Sequence, residues 1–296
     1  MAKPTYFDLT SGSKRSIPAP DVSERYERVD LPEGQRLGVS VYNEGDDKDT
    51  IVQFLAWSGY TSRPDEIQRG KVMAAALDAT LVTVDNPGVG LDNSFLSRPQ
   101  LNNLRNGAIE ELSAMQVAAL ERVKVNLADI SLFGYSLGTV MASAAMAHLP
   151  SETRVKKLAL IEPVAIEKTS VPELSLAFML DGLKDGRYKV ENPDWYRQYK
   201  EVFPTKQIAA LYRYVQFMAN NEGFVGLDSD GVIAHGADTT VVSAENSRVT
   251  SLDNAKRLAS RLSAEHWVMQ GENHSMLNGL GRITLLLEML REHNRL

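Results

Sequence analysis

The chain has 296 residues, enough for one large domain or one domain carrying a substantial insertion, and enough to bury a full core without covalent staples. Hydrophobic residues make up 43% and charged residues 24%, the proportions of an ordinary globular chain. Lys plus Arg number 32 and Asp plus Glu 38, a net charge of −6 that argues against nucleic acid or an anionic membrane as the main partner, and the absence of cysteine excludes disulfides, thiolate metal sites and a cysteine nucleophile.

The first 22 residues are polar and rich in Pro and Ser, and read as a loosely held lead-in. They contain no apolar core of a secretory signal, so the expected compartment is the cytoplasm. Short β-rich runs begin near Glu24. Residues 37–43 (LGVSVYN) alternate apolar and polar, which suits a half-buried strand. Residues 50–57 (TIVQFLAW) are more continuously apolar and suit a buried one. A helix is expected over 64–77, turning Ile67, Val72, Ala75 and Ala76 to one face.

A strand over 79–84 (ATLVTV) then ends at Asp85-Asn86-Pro87-Gly88. A long amphipathic helix is expected over 102–124, a strand over 128–133 (ADISLF), a small-residue helix over 137–148 and a strand over 155–161 (VKKLALI). Alternation of this kind predicts an α/β fold, a mostly parallel sheet with helices on both faces.

The rhythm breaks after Pro163. Roughly 70 residues of helical character precede the next strand, 239–243 (TTVVS), far more than a simple connection needs. Residues 166–235 are therefore expected to form an inserted helical cap, following the sixth strand of a core built from 1–165 and 236–296. The rhythm resumes with a helix over 251–262, a strand over 266–269 (HWVM) and a closing helix over 276–292. The apolar run 283–290 (ITLLLEML) carries a charge and is too short to span a bilayer.

Between the 128–133 strand and the helix after it lies Gly134-Tyr135-Ser136-Leu137-Gly138, the pattern G-x-S-x-G in the strand–turn–helix context that gives it chemical meaning. Glycine on either side of the turn frees it of side-chain clashes. The serine hydroxyl can then project from the sheet edge, with a helix N-terminus behind it to favour a developing oxyanion.

On these residues the chain resembles the α/β-hydrolase superfamily, from about residue 30 to 292 apart from the cap. Asp85-Asn86-Pro87-Gly88-Val89-Gly90, with Ser94 beyond, resembles a second signature of that fold, with a structural role. The resemblance implies that Ser136 is the nucleophile. It also implies an oxyanion hole formed by the amide of Leu137 and one from the loop Ala56-Trp57-Ser58-Gly59-Tyr60, where Tyr60 is the first choice and Trp57 or Ser58 the alternatives.

A serine needs a base to take its proton. Of the five histidines, His148, His235, His266 and His293 sit where a surface or capping role suffices, whereas His274 lies in Gly271-Glu272-Asn273-His274-Ser275, between the last strand and the last helix. That is where the superfamily carries its base. The acid departs from the pattern: in Ala244-Glu245-Asn246-Ser247-Arg248-Val249, a serine, Ser247, occupies the place of the usual aspartate. Glu162 at the end of the preceding strand, Glu245, and Asp253 at the start of a helix are the candidates, Glu162 favoured and Glu245 the alternative.

Residues 166–235 hold ten aromatics, Phe178, Tyr212, Tyr214 and Phe217 among them, about twice their share of the chain. Some dock the cap on the core and some line an apolar substrate pocket. Trp57, Tyr135 and Phe217 are the candidate substrate contacts, although Phe217, like Met179, has a spacing common in cores.

These features imply a serine esterase-like hydrolase of a small-molecule acyl substrate. It would need no cofactor and no metal, since no ligand spacing such as H-x-x-x-H is present. Acyl transfer, carbon–carbon hydrolysis and cofactor-free lyase chemistry use similar scaffolds, and a non-catalytic binding protein is the remaining alternative. Substrate identity and oligomeric state are not legible.

Overall fold

A computed structural model describes residues 4–12, 17, 20–91, 93–183, 207–220 and 236–296. Nine strands form one sheet. In chain order they are β1 (Thr5–Asp8), β2 (Glu24–Asp30), β3 (Arg36–Tyr42), β4 (Thr50–Phe54), β5 (Thr80–Val84), β6 (Asp129–Tyr135), β7 (Arg154–Ile161), β8 (Asp238–Ala244) and β9 (Glu265–Gln270). Their spatial order is β1-β9-β8-β7-β6-β4-β5-β3-β2. The pairs β2–β3 and β3–β5 are antiparallel and the rest parallel.

Eight helices are described: α1 (Pro64–Leu77), α2 (Arg98–Arg105), α3 (Glu110–Arg122), α4 (Leu137–Ala145), α5 (Val171–Leu183), α6 (Ile208–Asn220), α7 (Leu252–Arg261) and α8 (Leu280–Glu292). They cover both faces of the sheet, and two apolar clusters result. Val52, Phe54, Leu132, Leu158 and Val241 belong to the one that includes α3, α4 and α7 residues; Ile51, Phe133, Ala159, Val242 and Trp267 belong to the one with α1 and α8. Adjacent residues such as Ile51 and Val52 enter different clusters because strand side chains alternate between faces.

Several expectations are corrected by packing. The N-terminal lead-in contains β1, which adds to the sheet edge in parallel register with β9, Thr5 opposite Trp267. Phe7 packs its ring against Trp267 at 4.5 Å, and Leu9 is fully buried. Four residues of strand are too short to give a periodic signal. The 37–43 strand is buried along both faces, not half-buried, because α3 and α1 lie against it. The 50–57 strand ends at Phe54.

The long helix over 102–124 is two helices, broken around Asn106 and Gly107, where the glycine takes φ +91°. In α1 the buried face runs through Val72, Met73, Ala74 and Leu77, while Ala75 is exposed and Ile67 and Ala76 are half-buried. Of the expected cap, α5 and α6 are described, whereas residues 184–206 and 221–235, with His235 and six of the ten aromatics, lie outside the described residues. Among the described residues no helix is long and apolar enough to cross a membrane.

Candidate active site

Strand β6 runs directly into α4, and Ser136 occupies the bend with φ 55° and ψ −121°. A non-glycine residue in this region is strained, and the surroundings must hold it. They do so from both sides. The Ser136 amide donates to Ile161 O on β7 (3.0 Å), and its carbonyl accepts from Thr139 N (3.0 Å) and Thr139 Oγ1 (2.6 Å).

Both glycines of the motif have steric work there. A Cβ at Gly134 would stand 2.5 Å from Gly138 O, and one at Gly138 would collide with the carbonyl of Phe54 on the neighbouring strand β4. The bend therefore fits against the sheet only with hydrogen at both positions. Leu137 begins α4, so its amide is among the unsatisfied donors that give a helix start its positive end.

Three chain-distant side chains meet at this bend. His274 Nε2 lies 3.0 Å from Ser136 Oγ, and His274 Nδ1 lies 2.9 Å from Glu162 Oε2. All three residues are buried, with 1%, 5% and 0% of the surface of Ser136, His274 and Glu162 exposed. Glu162 immediately follows β7 with φ 50°, and its amide continues the ladder by donating to Val242 O (2.7 Å). This left-handed residue at the strand end turns the carboxylate towards the loop after β8. There Oε1 accepts from Ala244 N (2.5 Å), while Oε2 also accepts from Ser247 Oγ (2.6 Å). Three hydrogen bonds fix this buried carboxyl group in one orientation.

His274 is placed with similar care. Tyr135 Oη donates to the carbonyl of His274 (2.6 Å), and the two rings stack at 5.7 Å. Phe178, from α5, meets the imidazole edge-on at 5.2 Å. Asn273 and Glu272 beside it are both buried.

The other acidic candidates stand elsewhere. Glu245 is exposed and accepts from Gly271 N (2.9 Å), and Asp253 is exposed in the first turn of α7. Of the other histidines, His148 closes the short turn after α4, His266 pairs with Ser243 (2.7 Å), and His293 packs edge-on to Trp267.

A cavity of about 200 Å³ opens beside Ser136 and His274. Trp57, Tyr135 and Phe178 supply its apolar wall, and Ala56, Ser58 and Gly59 form its edge. The expected oxyanion donor Tyr60 is not on this wall. Its side chain is buried in the core cluster, with Oη lacking a partner among the described residues, and burial pushes its phenol pKa up. Phe217 is likewise core: it is fully buried on α6, away from the cavity. Helical spacing alone cannot separate the two uses of an aromatic ring.

Part of the lining is polar, where the sequence led to the expectation of an apolar pocket. Arg63, Glu66, Arg69 and Asn278 form that part. Arg63 makes a two-point contact with Asp65 (2.5 and 2.6 Å) and donates to Ser58 O (3.0 Å), while Glu66 Oε1 receives both Arg63 Nη2 (3.0 Å) and Arg69 Nη1 (2.7 Å). The stretch Arg63-Pro64-Asp65-Glu66 falls at the start of the helix expected over 64–77, and the sequence assigned it no place in the site. Among the described residues no cluster of His, Asp and Glu could hold a metal ion.

No protein-family model and no curated protein matches the sequence. Solved structures do match in shape. A 2-hydroxy-6-oxo-6-phenylhexa-2,4-dienoate hydrolase from Rhodococcus sp. strain RHA1 superposes with TM-score 0.68 at 17% identity, over 93% of this chain and 100% of that one. The enol-lactonase from Burkholderia xenovorans LB400 gives 0.65 at 14% identity, over 90% and 98%. An N-acyl homoserine lactone degrading enzyme gives 0.63 at 21% identity, over 90% and 99%. With its sheet order, its strained serine at the β6–α4 bend and these likenesses over nine-tenths of its length, the chain has the α/β-hydrolase fold.

Proposed function

We propose that the protein is a serine hydrolase that cleaves an ester or a similar small acyl substrate. The observation that carries this reading is the continuous hydrogen-bonded row from Ser136 Oγ through the imidazole of His274 to the carboxylate of Glu162, with spacings of 3.0 and 2.9 Å. Ser136 Oγ attacks the substrate carbonyl as His274 Nε2 takes the hydroxyl proton. Glu162 holds the Nδ1 proton and stabilises the imidazolium that forms. The oxyanion accepts a hydrogen bond from the Leu137 amide at the start of α4. The second donor comes from the 57–60 loop, where Trp57 and Ser58 line the cavity and Arg63 ties down the Ser58 carbonyl. The leaving group takes the proton from Nε2. Water then attacks the acyl carbonyl as it gives a proton to the same nitrogen, and the bond to Ser136 Oγ breaks as Oγ takes that proton back, releasing the acid and restoring the hydroxyl.

The solved structures of similar shape include a lactonase and a dienoate hydrolase, which fits the attack of an activated oxygen on a carbonyl. The cavity of about 200 Å³ suits a short acyl group. Incubation with a fluorophosphonate probe, then with p-nitrophenyl acetate, tests the reading. The wild type is expected to label at Ser136 and to release a burst of p-nitrophenol, and Ser136→Ala to do neither. Undiminished turnover by Ser136→Ala removes the proposal. A panel of esters, thioesters and diketones then separates hydrolysis of acyl esters from acyl transfer and carbon–carbon cleavage.

A further inference from the structure

Helix α5 belongs to the expected cap and ends against the loops that carry His274 and surround Glu162. Its Asp181 is 1% exposed. The Oδ2 atom accepts from the backbone amide of His274 (3.4 Å) and from that of Arg248 (3.0 Å), and the Asp181 carbonyl accepts from Asn273 Nδ2 (3.2 Å). Its Oδ1 atom has no hydrogen-bond partner among the described residues. No arginine or lysine is paired with it among the described ion pairs. Burying a carboxylate on two backbone amides is a costly way to stabilise a helix end, since an apolar residue would avoid the desolvation.

The identity of the two amides explains the arrangement. One belongs to His274 itself. The other belongs to Arg248, next to Ser247, whose hydroxyl holds Glu162 Oε2. One carboxylate thus sets the distance between the base loop and the loop that steadies the acid. One turn earlier on the same helix, Phe178 packs edge-on against the imidazole at 5.2 Å, so α5 touches His274 at both its ring and its backbone.

We infer that Asp181 is a positioning residue: its carboxylate on the helix docked over the site locks the His274 loop and the Ser247 loop in the register that aligns the imidazole between Ser136 and Glu162. The inference rests on the function proposed above. An acceptor oxygen at the Oδ2 position is what the two amides require. Asparagine can supply it, with its NH₂ placed at the Oδ1 position, whereas alanine cannot.

The experiment compares wild type, Asp181→Asn, Asp181→Ala and Ser136→Ala with p-nitrophenyl acetate, counting active sites by the fluorophosphonate. In parallel, ¹⁵N-histidine-labelled protein is examined for the downfield ring N–H resonance of His274 bonded to Glu162. Asp181→Ala is expected to lose about tenfold or more in kcat per active site with KM nearly unchanged, because a small displacement of the base acts on the chemical step. It is also expected to lose or broaden the ring N–H resonance, with Asp181→Asn restoring both. A folded Asp181→Ala that keeps the resonance, or an Asp181→Asn as impaired as Asp181→Ala, overturns the inference. The resonance reads positioning without any substrate. Absence of Ser136-dependent turnover in the wild type is instead a failure of the proposed function.

Discussion

The hydroxyl of Ser247 donates to Glu162 Oε2, the same oxygen that faces His274 Nδ1, at 2.6 Å. A serine stands where the fold commonly carries an aspartate, and it meets the carboxylate that comes from the neighbouring strand end. The two positions are adjacent because β7 and β8 pair in parallel, Ile161 opposite Val242, so the residues just beyond both strands share one corner.

Exchange of Glu162 for its amide separates the acidic candidates. Glu162→Gln keeps the shape and removes the charge, leaving His274 without a partner for its imidazolium. Turnover is expected to fall by about 10³–10⁴. Glu245→Gln, at an exposed side chain bonded to Gly271 N, is expected to leave it unchanged. The rate of p-nitrophenyl acetate hydrolysis measures both, and an inert Glu162→Gln change refutes the assignment.

Ser247→Ala removes one of three hydrogen bonds to Glu162 and also the acceptor of Thr250 N. A hydrogen bond to a charged group contributes about 1.5 kcal/mol, so kcat/KM is expected to fall roughly tenfold. Steady-state kinetics beside a thermal unfolding midpoint separates a loss of function from a loss of fold.

Gly138→Ala places a methyl group against the backbone of Phe54, which belongs to a central strand and cannot give way. Overpacking of this kind is expected to cost about 3 kcal/mol, visible as a lowered urea midpoint. Normal stability in this variant contradicts the close approach of α4 to β4.

His266 connects stability to pH. Burial, with a smaller contribution from Lys256, lowers its pKa from 6.5 to about 4, and its Nε2 is paired with Ser243 at 2.7 Å. Between these values the unfolded chain binds a proton that the folded chain refuses. Stability is therefore full above pH 6.5 and declines as the pH falls towards 4. Urea midpoints taken across this window are expected to fall on acidification. His266→Gln is expected to remove part of that slope; an unchanged slope shows that other groups carry it.

The sequence was informative where the physics is local. A strand, two glycines four residues apart and a small-residue helix specify the bend at Ser136, because the clashes that exclude side chains there arise within one strand–turn–helix unit and its neighbour β4. The alternation of strands and helices likewise identifies the layered architecture, and the loop before the last helix singles out His274. Local patterns also misled. An interrupted helix kept its apolar rhythm across Gly107, and β1 was too short to show any rhythm before the edge of β9 offered it a partner.

Tertiary structure alone decided which carboxylate faces the imidazole, that Phe217 and the Tyr60 side chain belong to the core, and that Arg63, Glu66 and Arg69 wall the cavity beside Trp57 and Phe178. It alone brings Asp181 to His274, 93 residues away along the chain. The reason is physical. Backbone sterics and periodicity act over a few residues and leave a trace in sequence spacing, whereas the partner of a buried charge is set by which strand ends and helix ends become neighbours once the whole sheet has assembled.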